Sequence, residues 1–181
     1  MTYIFLANGF EEVEAITPYD YIKRSGEMVC FVGVGGKNIT GSHGLTVNAD
    51  VALEDFTSEI EKKDFVVLPG GLQGTKNLNN SEKVLSYIRD AFRVASIGAI
   101  CAAPSILGGL NLLNGFNACC YPGFEKYLKG ATILDEPVVV DRNIITSKGA
   151  GTAQEFAFEI IKYICGETKL NEVKNMVQWR R

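Results

Sequence analysis

The sequence predicts an α/β protein built on a mostly parallel sheet with helices on both faces. Three observations lead there. Tyr3 to Ala7, Phe65 to Leu68 and Ala95 to Ile100 are short apolar runs without polar alternation, the pattern of strands buried on both faces. Helical spacing appears between such runs, most clearly over Ser81 to Val94, where Val84, Leu85, Ile88, Ala91 and Phe92 share one face. Turn residues such as Asn8-Gly9 and Pro69-Gly70-Gly71 separate the two kinds of segment, and strands alternating with helices imply parallel crossovers, the doubly wound arrangement.

Taken in order, Tyr3 to Ala7 is the first strand and Asn8-Gly9-Phe10 a turn. Glu11 to about Ser25 is a helix with Ile16, Tyr19 and Ile22 as its apolar stripe; Pro18 predicts a kink or a late true start, and Ser25-Gly26 ends it. Glu27 to Val34 is the second strand, with Cys30 in the core. Gly33-Val34-Gly35-Gly36 is not followed by a helical pattern, so it fails as a dinucleotide loop and reads as a turn. Lys37 to Val51 is a small antiparallel excursion. After the Phe65–Leu68 strand, Ser81 caps the next helix. Ser96 to Ile100 is a strand that turns at Cys101 into a short helix with Pro104 in its first turn, where proline loses no hydrogen bond. Asn117 to Tyr121 reads as a short strand, Phe124 to Leu128 as a helical turn, and Val138 to Ser147 as a hairpin around Asp141-Arg142-Asn143. Helices over Thr152 to Cys165 and Glu167 to Val177 close the chain. With no linker or repeat, residues 1–181 read as one domain.

Composition excludes several function classes. The chain is 46% hydrophobic and 22% charged, as globular proteins are. A net charge of −3 without a basic cluster argues against nucleic acid. No apolar run approaches the roughly 18 residues a membrane span needs, and the start shows no charged region or cleavage site, so a cytoplasmic protein is expected. Five cysteines without framework spacing suit a reducing compartment. The chain has no Cys-x-x-Cys and a single histidine, His43, so neither a metal nor another cofactor is expected.

Sites in open α/β sheets lie at the carboxyl ends of strands. Three ends stand out: the first strand delivers Gly9 to Glu14, the Phe65–Leu68 strand delivers Gly70 and Gly71, and the Ser96–Ile100 strand delivers Cys101. Together they offer a nucleophile, an acid or base, and backbone N–H groups for an oxyanion. Cys101, between strand end and helix start, sits in a field that favours thiolate. At an ordinary pKa of roughly 8.5 only about 3% would be ionised at pH 7, and a helix dipole adds under about one pKa unit. A hydrogen-bond donor must supply the rest. Glu14 can donate only when protonated, so Cys101 and Glu14 would have to share a proton.

At these residues the chain resembles the ThiJ/PfpI superfamily, in the branch of the Parkinson-disease-associated protein deglycase and its bacterial relatives. The matching stretches are Gly9-Phe10-Glu11-Glu12-Val13-Glu14, Val67-Leu68-Pro69-Gly70-Gly71, Ala99-Ile100-Cys101-Ala102-Ala103-Pro104 and Thr146-Ser147-Lys148-Gly149-Ala150-Gly151-Thr152. The resemblance implies a flavodoxin-like fold, a homodimer, and a cysteine at position 101 that oxidises readily, with protonated Glu14 as its donor. It also implies that Gly71 and Ala102 line the site through their N–H groups.

Two departures narrow the chemistry. Many relatives carry a histidine before a proline after the elbow helix, and here Tyr121 precedes Pro122. Tyr121 could donate a hydrogen bond, but its high pKa makes it a poor base at pH 7. The protease branch has histidine directly after the nucleophile; here Ala102 stands there, which sets protease aside. His43 aligns with a segment that in the family approaches the dimer contact. Cys120 could serve as a resolving thiol for Cys101 or simply pack in the core. The function expected is cofactor-free, cysteine-dependent action on reactive carbonyls or glycated adducts, of glyoxalase or deglycase type. The alternatives are a redox sensor or holdase chaperone and a small-metabolite binding module.

Overall fold

The computed structural model describes residues 1–180. The chain runs through β1 (Thr2–Ala7), α1 (Glu12–Arg24), β2 (Val29–Val34), β3 (Asn38–Thr40), β4 (Thr46–Asn48), β5 (Val51–Ala52) and β6 (Phe65–Leu68). It continues with α2 (Leu72–Asn79), α3 (Glu82–Val94), β7 (Ser96–Ile100), α4 (Pro104–Gly109), β8 (Asn117–Ala118) and β9 (Thr132–Ile133). Last come β10 (Val138–Asp141), β11 (Ile144–Ser147), α5 (Ala153–Cys165) and α6 (Glu167–Met176).

Seven strands form one sheet in the order β10-β11-β7-β6-β1-β2-β5. All pairings in it are parallel apart from the β10–β11 hairpin. From β1 the chain first moves outward through β2 and β5, then returns to β6 on the other side of β1. The order therefore reverses between β1 and β6, the place where open α/β sheets leave a crevice at their carboxyl ends.

Both faces of the sheet are covered, which is why β6 and all of β1 beyond Thr2 are apolar. Tyr3, Phe5 and Ala7 of β1 pack on one side with Val84 and Ile88 of α3. Ile4 and Leu6, pointing the other way, pack with Ala15 and Ile22 of α1 and with Phe156 and Ile160 of α5. Ser81 caps α3, its hydroxyl accepting from the Val84 N–H.

The structure departs from the sequence reading at four places. α2 has no counterpart in it: Leu72 to Asn79 carries Gly74 and two asparagines, poor helix formers. Tertiary contact decides there, because the Gly74 N–H donates to the Gly9 carbonyl, and a Cβ on Gly74 would lie 2.7 Å from Phe10 Cα. The strand expected over Asn117 to Tyr121 shrinks to β8, since the Cys119 N–H donates to Thr146 Oγ1 and the Tyr121 N–H to the Cys101 carbonyl. Cys30 is half-buried, at an outer position of β2. α1 starts at Glu12 and not late, so Pro18 lies inside it and the Glu14 carbonyl lacks its usual partner one turn on.

Candidate active site

The carboxyl ends of β1, β6 and β7 converge on one spot. β7 ends at Ile100, and the chain reverses through Cys101 with φ +64°, a left-handed conformation that non-glycine residues rarely adopt. Hydrogen bonds hold it there. The Cys101 N–H donates to the Ser147 carbonyl at 2.9 Å, its carbonyl accepts from the Tyr121 N–H at 2.8 Å, and the Ala103 N–H returns to the Ile100 carbonyl at 3.0 Å. This is a nucleophile elbow in geometry: a strained residue presented between strand and helix.

Glu14 comes from the first turn of α1 and is 1% exposed. Its Oε2 accepts from the Gly70 N–H at 2.8 Å, and the carboxyl also hydrogen-bonds with Cys101. Gly70 explains the Pro-Gly-Gly turn. A Cβ there would stand 2.5 Å from Cys101 Cβ and 2.5 Å from Glu14 Oε2, so only glycine lets thiol and carboxyl meet. Gly71 follows with φ +84°, pressed against the Gly9 carbonyl, and the N–H groups of Gly71 and Ala102 both donate toward the Cys101 sulfur.

Burial pushes the Glu14 carboxyl up to about 7, against the opposing pull of the Gly70 N–H. Burial, with the charge of Glu14, pushes the Cys101 thiol up to about 12 despite its two N–H donors. Placement alone predicts a field favouring thiolate, and the structure reverses that sign. α4 is only six residues long, so its dipole is weak, while the neighbouring carboxylate and lost hydration are strong. The two groups therefore titrate as a pair that loses its first proton at Glu14 near neutrality.

Tyr121 and the loop after β11 complete the surroundings. A Cβ on Gly149 would lie 3.4 Å from the Tyr121 ring and 3.8 Å from Glu14 Oε1. Gly149 thus sits between the half-exposed tyrosine and the buried carboxyl. Its N–H donates to Thr152 Oγ1 at 3.1 Å, and Thr152 in turn meets Ser147 Oγ at 2.6 Å. Sequence reasoning assigned no role to Gly149 or Ser147, although both lie in the stretch that carries the resemblance. A glycine two residues past a strand end was the available signal.

The remaining candidates lie farther out. His43 is exposed on the β3–β4 turn, its Nδ1 2.9 Å from Glu12 Oε2, and its N–H donates to Glu12 Oε1 at 2.7 Å. This pairing lowers the Glu12 carboxyl to about 2 and raises the His43 imidazole. Glu11, Glu12 and His43 offer ligand atoms within 4.8 Å of one another, but the ion pair already accounts for that cluster. Glu11 and His43, with Gly71 and Gln73, border a cavity of about 540 Å³. Cys120 packs in the core on the α3 side of the sheet, whereas Cys101 packs against the α1 and α5 side; all five cysteines are free thiols.

Residues 2–163 match the sequence profile described as the DJ-1/PfpI family. The chain belongs to the DJ-1/PfpI family. It is 36% identical over 174 residues to the Drosophila melanogaster protein dj-1beta, covering 94% of this chain and 92% of that one. The crystal structure of Drosophila DJ-1beta superposes with a TM-score of 0.93 at 33% identity, covering 99% and 98% of the two chains. Two further relatives are named for activities. One is a deglycase of Pyrococcus abyssi, 32% identical over 89% of this chain and 97% of its own length. The other is a glutathione-independent glyoxalase of Caenorhabditis elegans, 32% identical over 90% and 87%. The mostly parallel sheet with its two helical layers is the flavodoxin-like fold of this DJ-1 group. Among the described residues no helix is long and apolar enough to cross a membrane.

Proposed function

We propose that this DJ-1/PfpI protein converts small reactive carbonyls such as methylglyoxal, or their early adducts on proteins, to hydroxy acids, with Cys101 as nucleophile and Glu14 as proton shuttle. The observation that carries the reading is the buried Glu14 carboxyl, held by the Gly70 N–H at 2.8 Å beside a thiol on a strained elbow. A carboxyl poised near 7 can both take and give a proton at neutral pH, as a general acid–base group must. The names of the Pyrococcus and Caenorhabditis relatives support the substrate class.

In the proposed reaction the Cys101 proton passes to Glu14 as sulfur bonds to the aldehyde carbon. Glu14 gives that proton to the new oxyanion and returns to carboxylate, leaving a hemithioacetal beside the N–H groups of Gly71 and Ala102. Glu14 then removes the hydrogen from that carbon as a proton, giving an enediol, and returns it to the adjacent carbon while the hydroxyl proton passes to the neighbouring oxygen, leaving a thioester of the hydroxy acid. Water cleaves the thioester, releasing the acid and restoring the thiol. The sum is addition of one water to methylglyoxal, giving lactic acid, with no change in the protein.

Lactate formed from methylglyoxal tests this. Wild type should turn over, Cys101→Ser should be inactive, and Glu14→Gln, which keeps a hydrogen bond but carries no proton, should lose at least about 100-fold. Equal traces from all three overturn the reading. Tyr121 at the family's histidine position favours a second reading, oxidation sensing without turnover. Intact mass after graded peroxide tests it: two oxygens added selectively at Cys101 support it, and indiscriminate oxidation of the five thiols opposes it. We also propose a homodimer, on the family resemblance; a sedimentation mass near 19.7 kDa would oppose that.

A further inference from the structure

α2 presents Leu72, Thr75, Lys76 and Asn79 along one face, at the i, i+3, i+4, i+7 spacing of a helical stripe. Across from it stands the segment carrying Phe124, Tyr127 and Lys129, and between them lies a groove of about 460 Å³. That size is ordinary for a small-molecule cleft. Its far wall is built rather than draped. Gly108 of α4 packs so closely on this segment that a Cβ would come 2.1 Å from the Tyr127 carbonyl oxygen. The Phe124 and Tyr127 rings meet at 5.6 Å between centroids.

The chemistry of the lining is one-sided. A chain of net charge −3 places two lysines, Lys76 and Lys129, on this groove and no acidic residue. Among the described residues neither lysine has an ion-pair partner. Thr75, 5% exposed, lines the groove, and its buried hydroxyl has no hydrogen-bond partner, unusual for a buried polar atom. Asn79 and Ser105 add neutral polar groups, and Leu72, 73% exposed, with the Phe124 and Tyr127 rings supplies the apolar surface.

We propose that this groove binds a small organic anion with an apolar or aromatic body: the body lies between α2 and the Phe124–Tyr127 rings, and the anionic group pairs with Lys76 and Lys129. The site is separate from the Cys101–Glu14 pair and does not depend on what that pair does. Charge complementarity selects this occupant over a neutral lipid or a second copy of the chain, whose net charge is only −3.

Fluorescence titration with anilinonaphthalene sulfonate, an anion on an aromatic body, tests the proposal, with uncharged phenylnaphthylamine as control. Gly109 supplies the decisive variant. It lines the groove, and a Cβ there meets nothing within 4 Å, so Gly109→Leu fills the space without disturbing the fold. Wild type should bind the sulfonate one-to-one, and phenylnaphthylamine at least about tenfold more weakly. Gly109→Leu and the pair Lys76→Ala with Lys129→Ala should each weaken sulfonate binding by about tenfold or more. Lys76→Arg with Lys129→Arg should stay within about threefold, and Cys101→Ser should bind as wild type does. Unchanged thermal midpoints show that the variants are folded. Equal affinity for the uncharged probe, indifference to Gly109→Leu, or loss of binding as protein concentration rises would each overturn the proposal, the last by showing a second copy on that face.

Discussion

Glu14 makes the folded state pH-dependent in a direction opposite to most carboxylates. Its pKa is about 7 when folded against about 4.5 when exposed, so between those values the folded chain binds more protons than the unfolded one. Stability from this residue is therefore full below about pH 4.5, falls as pH rises toward 7, and stays reduced above it. The span corresponds to about 3 kcal/mol at most. Urea unfolding at pH 5 and pH 8 should show wild type losing stability across that interval, and Glu14→Gln should lose much less. Two glycines separate a steric role from a conformational one. Gly70→Ala drives a methyl into both Cys101 and Glu14 and should cost at least about 100-fold in turnover with the fold retained. Gly149→Ala meets the Tyr121 ring at an ordinary 3.4 Å in extended backbone and should cost under about threefold; the same lactate assay reads both.

Among the elements, β7 is the most constrained. Its Gly98 faces two rings: a Cβ would stand 2.9 Å from Phe156 Cζ and 3.0 Å from Phe65 Cε1, both rings buried. Gly98→Ala should destabilise by about 1–3 kcal/mol through overpacking, visible as a lower urea midpoint with an unchanged slope. Elements of this kind were legible in the sequence, because strands buried on both faces leave a continuous apolar signature and α3 a strong stripe. The elbow was legible too, from an apolar run ending in a cysteine and resuming at Pro104. α2 was not. Its residues have little helical preference of their own, and what makes them helical is a glycine backbone lying on Phe10, a contact more than sixty residues away in sequence. The same holds in the site. Cys101, Glu14 and the glycine turn could be placed from strand ends, but the thiol's pKa could not, since its sign depends on burial that no local pattern records.

On the scale of the whole molecule, the reversal of strand order between β1 and β6 decides where the Cys101–Glu14 pair sits. It brings Gly9, Gly70 and Glu14 to one crevice and leaves β7 to add Cys101 from the next position in the sheet. The crevice is thus anchored in the central strands, whereas the β3–β4 hairpin, with His43 at its turn, is a separate two-stranded piece. Amide hydrogen exchange should follow that division: the N–H groups of β1, β6 and β7 should exchange last, near the global unfolding limit, and those of β3 and β4 much sooner. Equal protection of hairpin and central strands would contradict it.

The close approach at Gly70 also bears on redesign. Where thiol, carboxyl and turn meet, the space is already filled by backbone, leaving no side chain to exchange for another. Any attempt to change what this site admits must therefore work from the rim, at Tyr121, where half of the side chain faces solvent. Variation at the rim can alter which molecules enter while Cys101 and Glu14 keep their setting.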